Sequence, residues 1–372
     1  MPRVSVLLSS LNHGKFVAEA IQSVLDQTYQ DFELIIVDDC SEDNSWEIIQ
    51  GFHDPRIRAF RNAKRCRAAA GFNESILLRA RGEYIAIHHS DDVFLPDKLE
   101  LQVAHLDTHP EIGAAFTQVK LIDECGAPFT EVGHSYLHVF KQPNRSRHMW
   151  LNHFFFHGNA LCHPSVLIRK ECFLDVGVYD RRLGQITDFE MWVRLCMKYN
   201  IHIIEKPLIR FRVRANEMNQ SGSKPETHNR ISLEYQQVLL NYLAISSEAE
   251  LFAVFPDIRV MANAEHNHIP FLLARYAIEQ GMHIHQAFGF YLLYDLMRDP
   301  KTVGELEQKY GFSYINFIQL TGSRDIFQLE AVAQLQKEIG RIKSTVSWQI
   351  TKPLRYVWNW LLRRLPAAFP RS

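Results

Sequence analysis

Two apolar runs that end in acids constrain what this chain can fold into. Residues 32–37 run into Asp38-Asp39, and residues 84–88 run into His89-Ser90-Asp91-Asp92. A strand-like segment at 4–9 precedes both. Between it and the first run, Val17, Ala20, Ile21, Val24 and Leu25 fall at helical spacing. Strand–helix alternation of this kind predicts parallel βαβ units. In an open sheet of such units, ligands bind outside the carboxyl ends of the strands. Acids at two such ends predict a charged ligand. A nucleoside diphosphate held through a divalent cation suits them, because carboxylates are the hard oxygen ligands that Mg2+ and Mn2+ prefer.

The pattern continues and then changes. Ser41, Asp43, Asn44 and Ser45 form a turn and capping cluster before a helix over 46–52. A strand is expected at 57–60, a helix over 68–80, and a helix over 97–109 opened by Pro96. Further strands are expected at 113–119, 166–168, 201–205 and 208–213, with a helix over 188–197. Residues 134–158, rich in His and Phe, read as a long irregular loop, a kind of segment that is often functional. After a polar stretch at 216–225, helices are expected over 231–244, 269–280, 285–298 and 303–309. Leu329, Val332, Leu335, Ile339 and Ile342 predict a coiled-coil-like helix over 326–343. Three regions result: a first domain at 1–220, a helical extension at 221–325, and the coiled-coil-like helix with a basic amphipathic tail at 326–372. Asn12-His13-Gly14 is not the GxGxxG of a dinucleotide fold, which argues against NAD.

Hydrophobic residues make up 47% of the 372 and charged ones 22%, as in a globular protein. A net charge of -1 excludes a general polyanion binder, so no nucleic-acid partner is expected. Six scattered cysteines without a CxxC pair predict a reduced, cytoplasmic protein. The N-terminus runs straight into a strand, with no signal-peptide pattern, and no apolar run reaches the ~18–20 residues of a membrane span. The charge is uneven, however. From Lys337 onward, eight basic residues against one acid give +7. Leu354, Val357, Trp358, Leu361, Leu362 and Leu365 share one helical face there, and Arg355, Asn359 and Arg363 share the other. Such a helix suits an anionic membrane interface; packing on the domain or on a second subunit is the alternative.

Several ordered motifs carry a resemblance. Val4-Ser5-Val6-Leu7-Leu8, Asn12, Ser23-Val24-Leu25-Asp26-Gln27-Thr28 and the run from Glu33 to Asp43 resemble the N-terminal half of a family 2 glycosyltransferase. Gly82-Glu83-Tyr84-Ile85-Ala86 before Ser90-Asp91-Asp92 is similar to the approach to that family's DxD motif, and Thr187-Asp188-Phe189-Glu190-Met191-Trp192-Val193-Arg194-Leu195 to its ED-type helix. The resemblance covers residues 3–215. The segment from Ser347 to Arg355 resembles one common at the ends of bacterial surface-polysaccharide glycosyltransferases. Implied is an α/β, GT-A fold: a Rossmann-like, mostly parallel sheet flanked by helices, here with a helical C-terminal extension. Implied too are Mg2+ or Mn2+ and transfer of a sugar from a nucleotide-sugar donor to an acceptor hydroxyl with inversion. The chain departs from the family at Ser9-Ser10, where Pro-Thr is usual, at His89 in place of the first Asp of DxD, and at Thr187 in place of Glu. It lacks the QxxRW of processive synthases, which favours addition of one sugar.

The resemblance implies roles residue by residue. Asp38 and Asp39 would accept bonds from the base or ribose, or else cap the next helix. Ser9, Leu11, Asn73 and Ser90 would line the same pocket. Asp91 would hold the metal. His89 is a second candidate ligand, or a neutral polar neighbour, and Asp92 would orient loop backbone or a donor hydroxyl. Asp188 would be the general base, or a helix-terminal acid, with Glu190 as the alternative base. Arg212 or Arg214 could reach the diphosphate. His134, His138, His148, His153, His157 and His163 fit no compact zinc spacing; an acceptor-binding loop is expected there, with Phe154-Phe155-Phe156 as core or acceptor contacts. The expected protein is a bacterial polysaccharide or lipid-linked-glycan transferase, peripheral at the inner face of the cell membrane. Its acceptor would be a glycan or lipid-linked glycan, and a homo-oligomer is a further option. A protein or small-molecule acceptor is an alternative, as is a GT-A scaffold that binds nucleotide sugar without turnover.

Overall fold

The computed structural model describes residues 1–215, 219, 222, 224–263, 266–351 and 353–355. The chain divides into two compact units, 1–292 and 293–372. The strands are β1 (Val4–Ser10), β2 (Phe32–Asp38), β3 (Ile57–Arg61), β4 (Tyr84–His89), β5 (Val93–Phe94), β6 (Ile112–Ile122), β7 (Leu167–Arg169) and β8 (Asn200–Arg212). They form one eight-stranded sheet in the order β3-β2-β1-β4-β7-β6-β8-β5. The half from β3 to β4 is parallel, and β7 and β5 pair antiparallel with their neighbours. The sheet is therefore mixed, and its parallel half is the part that the alternation at the N-terminus predicts.

Strands covered on both faces read as continuous apolar runs, and every residue of β2 is buried. Two of them are acids, Glu33 and Asp38, and Glu33 lies within the run. Its carboxylate accepts from Ser5 Oγ at 2.8 Å, Arg81 N at 2.7 Å and Arg58 Nη1 at 2.9 Å, so one buried charge joins β1, β2, β3 and the turn before β4. At that turn Gly82 has no substitute. A Cβ there would lie 2.6 Å from Ser5 N and 2.8 Å from the Val4 carbonyl carbon.

The helices of the first half are α1 (Val17–Leu25), α2 (Ser45–Gln50), α3 (Ala68–Glu74), α4 (Lys98–Thr108), α5 (Tyr136–Val139), α6 (Arg147–His157), α7 (Lys170–Val176) and α8 (Thr187–Lys198). Those that follow are α9 (Pro225–Leu240), α10 (Glu248–Val254), α11 (Ile269–Gln280), α12 (His283–Leu296), α13 (Pro300–Tyr310), α14 (Tyr314–Gly322), α15 (Leu329–Ser344) and α16 (Val346–Ile350). Three expectations are corrected. In place of two strands at 201–205 and 208–213 there is one, β8 (Asn200–Arg212), with Pro207 at an irregularity in its pairing to β6. The helix expected to run on to residue 80 ends as a π-turn over Ser75–Arg79. The stretch 134–158 is not a loop throughout: Ser146 caps α6, and Trp150, Leu151, Phe154 and Phe155 bury its face. The second unit has its own small core of Val303, Leu306, Phe312 and Phe317. Every residue of α15 is exposed. No helix among the described residues is long and apolar enough to cross a membrane.

Lys98 is the least expected core residue. It is 0% exposed, its Nζ has no hydrogen-bond partner among the described residues, and it lies 4.1 Å from the centroid of the Phe94 ring. Burial pushes its ammonium down from 10.5 to about 7. The folded state therefore disfavours the proton. The stability linked to this group is complete above pH 10.5 and is lost as pH falls to about 7. Lys98→Met, which keeps the volume and removes the charge, is expected to raise stability by about 1–3 kcal/mol at neutral pH. The gain should vanish near the ordinary lysine pKa. Thermal unfolding across that pH range checks this; a variant less stable than wild type at pH 6 would contradict it.

Candidate active site

Parallel register brings the candidate residues to one edge. Ser9 pairs with Val37 of β2 and with His89 of β4, and Ser10 pairs with Asp38. Among the described residues, three of the five non-glycine residues at positive φ, namely Asn12, Cys40 and Arg67, lie on the segments that leave these strands or face them. Such backbone persists where side-chain bonds hold it. Asn12 Oδ1 accepts from Glu42 N at 2.8 Å, and Asn12 N donates to Ser41 Oγ at 2.9 Å.

The two acids after β2 carry out that kind of work. Asp38 is fully buried and accepts from Ser41 N at 3.0 Å and from the Ser41 hydroxyl, with Arg61 Nε at 3.5 Å. Asp39 accepts from Asn62 Nδ2, Cys66 N and Arg67 N, each at 2.8 Å. Both carboxylates thus shape the loops around the edge. Of the residues expected to line the pocket, Ser9 is half-buried and Leu11 is exposed at the edge. Asn73 is held within the protein: its Nδ2 donates to Tyr179 O at 2.7 Å and its Oδ1 accepts from Tyr179 N at 2.9 Å. Its amide is spent on one residue's backbone, a long-range pairing that a polar residue on a helix does not announce.

The end of β4 is different. His89, Asp91 and Asp92 each offer a ligand atom, and these lie within 4.8 Å of one another. Asp92 Oδ1 accepts from Arg212 N at 2.8 Å, while the buried Oδ2 has no hydrogen-bond partner among the described residues. Burial, and then the charge of Asp91, push the Asp92 carboxyl well above its usual range. Two carboxylates and an imidazole around an unsatisfied buried oxygen fit a hard divalent cation. Beside them Arg214 Nη1 donates to His13 Nε2 at 2.9 Å, so His13 carries its proton on Nδ1 and donates to Ser90 Oγ at 2.8 Å. His13 Nε2 is 3.9 Å from Asp91 Oδ2. Sequence reasoning passed over His13, which stood only as part of a failed glycine motif. Of the two candidate arginines, Arg212 is consumed by protein partners, and Arg214 stays next to Asp91 through His13.

Asp188 opens α8. Asn159 Nδ2 donates to its Oδ2 at 2.9 Å, and burial raises its carboxyl to about 6 against the backbone and Asn159 bonds that lower it. Glu190 is tied down instead. Arg194 Nε and Nη2 grip it at 2.7 Å each, and Arg194 Nη1 and Nη2 also donate to the carbonyls of Gly177 and Val178. The loop that leads into α8 is held from α9: Glu234 accepts from Gly184 N at 2.6 Å, Gln185 N at 2.8 Å and Ile186 N at 3.0 Å. The helix after residue 220 is thus part of what places Asp188. Of the histidines in the presumed acceptor loop, His163 reaches the cation cluster, with its Nδ1 3.2 Å from His89 Nε2.

Comparison with known proteins bears on family and fold. The profile described as glycosyl transferase family 2 matches residues 5–169. An uncharacterized glycosyltransferase of Methanocaldococcus jannaschii is 30% identical over 251 residues, 66% of this chain and 79% of that protein. The UDP-Glc:alpha-D-GlcNAc-diphosphoundecaprenol beta-1,3-glucosyltransferase WfaP of Escherichia coli is 36% identical over 108 residues, 29% of this chain and 43% of that protein. Among solved structures, S. aureus TarS 1-349 in complex with UDP-GlcNAc superposes with a TM-score of 0.52 at 16% identity, covering 86% of this chain and 89% of that one. That likeness concerns the fold, which is of the GT-A type.

Proposed function

This chain belongs to glycosyltransferase family 2, and from that premise we propose that it moves a single sugar from a nucleotide-sugar donor to an acceptor hydroxyl with inversion. The observation that carries this reading is the convergence of His89, Asp91 and Asp92 within 4.8 Å at the end of β4. A divalent cation held there, Mg2+ or Mn2+, would offset the charge that builds on the diphosphate as the glycosidic bond breaks. Asp91, the most open acid of the cluster, is its ligand, and Asp92 and His89 stand beside it. Ser9, Leu11, Asp38, Asp39 and Ser90 form the walls of the base and ribose pocket. Arg214, held beside Asp91 by His13, is placed to meet phosphate oxygens.

Asp188 takes the proton of the acceptor hydroxyl as that oxygen attacks the anomeric carbon from the face opposite the diphosphate. A carboxyl raised to about 6 is ionised at neutral pH yet more basic than an ordinary aspartate. The acceptor we propose is a glycan or lipid-linked glycan of the bacterial surface. The lipid-linked substrate in the name of the E. coli relative supports that class, and the UDP-GlcNAc bound by the S. aureus fold relative supports a uridine nucleotide donor. A scaffold that binds donor without turnover is the rival reading, kept open by His89 and Thr187. Donor hydrolysis in the presence of Mn2+ separates the two. The basic tail is proposed to meet an anionic membrane face, with Trp348 and Ile350 exposed at its start; most of it, residues 356–372, lies outside the described residues.

Asp188→Asn keeps shape and removes basicity, so kcat should fall by about 10²–10⁴ with donor affinity little changed. In the wild type kcat should decline as pH drops below about 6. Glu190→Gln should instead lower stability, by loosening Arg194, while transfer persists. Transfer by Asp188→Asn near the wild-type rate would remove it as the base. Asp91→Ala should abolish the Mn2+-dependent part of UDP binding in calorimetry; binding that still responds fully to Mn2+ would refute the ligand assignment. Deletion from Ser347 onward should release the protein from anionic vesicles, an attraction of about 1 kcal/mol per basic side chain that salt weakens. Full-length protein that ignores such vesicles at low salt would point to an oligomer helix.

A further inference from the structure

We infer that His89 faces the cation position with an N–H and not with a lone pair, and that Tyr179, acting through His163, sets this polarity. The inference rests on the cation reading proposed above and gives His89 a different job within it. The chain of contacts is short. Tyr179 is buried, and its hydroxyl lies 2.9 Å from His163 Nε2, its one hydrogen-bond partner among the described residues. A buried O–H with a single acceptor in reach donates to it. His163 Nε2 therefore accepts, and the proton of that imidazole lies on Nδ1. His163 Nδ1 is 3.2 Å from His89 Nε2, so it donates there. His89 Nε2 accepts, and its own proton lies on Nδ1. That nitrogen is 3.6 Å from the carboxylate Oδ2 of Asp92, the buried oxygen that has no hydrogen-bond partner.

The rings have little freedom to reverse this order. Phe72 stacks on His89 with centroids 6.5 Å apart and meets His163 edge-on at 5.8 Å, and Trp192 meets the same ring at 5.8 Å. Tyr179 is pinned by the two bonds from Asn73 to its backbone. The opposite polarity would leave the Tyr179 O–H without an acceptor among these residues and would turn the lone pair of His89 Nδ1 toward the carboxylate oxygen Asp92 Oδ2. A metal ligand must offer a lone pair, so a protonated Nδ1 does not coordinate. His89 then turns an N–H toward Asp92 Oδ2, 3.6 Å away, at the rim of the cation site, where it can donate to an anionic oxygen of a bound nucleotide. The cation itself draws on oxygen ligands, with Asp91 first. Asn73, Tyr179 and His163 are positioning residues.

The test reads the protons directly. In the full-length chain labelled with 15N-histidine, long-range 1H–15N correlations, assigned with His89→Gln and His163→Gln, should show both imidazoles protonated on Nδ1 in the cation-free protein. Pulsed electron paramagnetic resonance of the Mn2+–UDP complex should show no nitrogen bound to Mn2+. Tyr179→Phe removes the donor at the head of the chain, so the proton of His163 should redistribute to Nε2, and that of His89 with it. A proton on His89 Nε2, or a Mn2+-bound nitrogen in the wild type, overturns the inference. A His163 proton that stays on Nδ1 in Tyr179→Phe overturns the role of Tyr179. If Asp91→Ala leaves Mn2+ binding intact the cation reading fails, whereas the cation-free spectrum still decides the polarity of the chain.

Discussion

One buried guanidinium holds the turn on which the site depends. Arg212 ends β8 with 2% exposure. Its Nε donates to Asp91 O at 2.8 Å, its Nη1 to Asp123 O at 3.0 Å and Glu124 O at 3.1 Å, and its Nη2 to Glu19 Oε2 at 2.6 Å. Its backbone N–H completes the set on Asp92. A guanidinium can do this because its donors are fixed in a plane and it does not lose its charge. Burying it without partners would be costly, and here each of its three nitrogens donates to an oxygen. The result is that β4, β8, α1 and the 123–124 turn converge on the Ser90-Asp91-Asp92 segment. The acids can then be crowded together at a strand end without the turn opening to relieve them.

Much of this edge was legible in the sequence because it depends on short-range pattern. Apolar runs at 4–9, 32–37 and 84–88 and the helical spacing of residues 17–25 follow from burial alone. They suffice to place Asp38, Asp39 and Asp91 at strand ends. Asp188 was legible through its motif and through the amphipathic helix that follows it. What pattern could not tell is which acids face a ligand and which face the protein. Asp38 and Asp39 look like the cluster after β4 in sequence. In the structure they accept bonds from Ser41, Asn62, Cys66 and Arg67, partners that become neighbours only once the loops are closed.

Most features that escaped have one physical cause: their partners are far away in the chain. Asn73 meets Tyr179, Arg212 meets Glu19, and Glu234 meets the amides of residues 184–186. Helix α6 escaped for another reason. It carries aromatic residues and histidines around much of its circumference, so it has no clean apolar stripe, and a helix packed on several sides does not need one. Its Phe155 meets Phe255, Tyr242 and His285 at centroid distances between 4.8 and 5.0 Å, which fastens the first domain to the helices that follow it.

That fastening bears on how the two carboxylate positions relate. Asp91 is placed by the sheet, through β4, β8 and Arg212. Asp188 is placed by helices, through α8, Asn159 and the Glu234 carboxylate of α9. Two independently supported groups must stay in register if one is to hold the donor while the other receives a proton from the acceptor. Cys162 lies between them, close enough to feel the charge of both Asp92 and Asp188. His163, the next residue, meets His89 on one side and Tyr179 on the other, and Asp188 raises the Tyr179 hydroxyl further above its usual range after burial has done most of that. The segment 162–163 and Tyr179 therefore bridge the sheet-held and the helix-held halves. A chain of buried polar groups with every member satisfied is rigid, because moving one strands its neighbour. In the proposed reaction such rigidity would matter more than further charge, since proton removal and formation of the bond to the anomeric carbon would both require short, fixed distances.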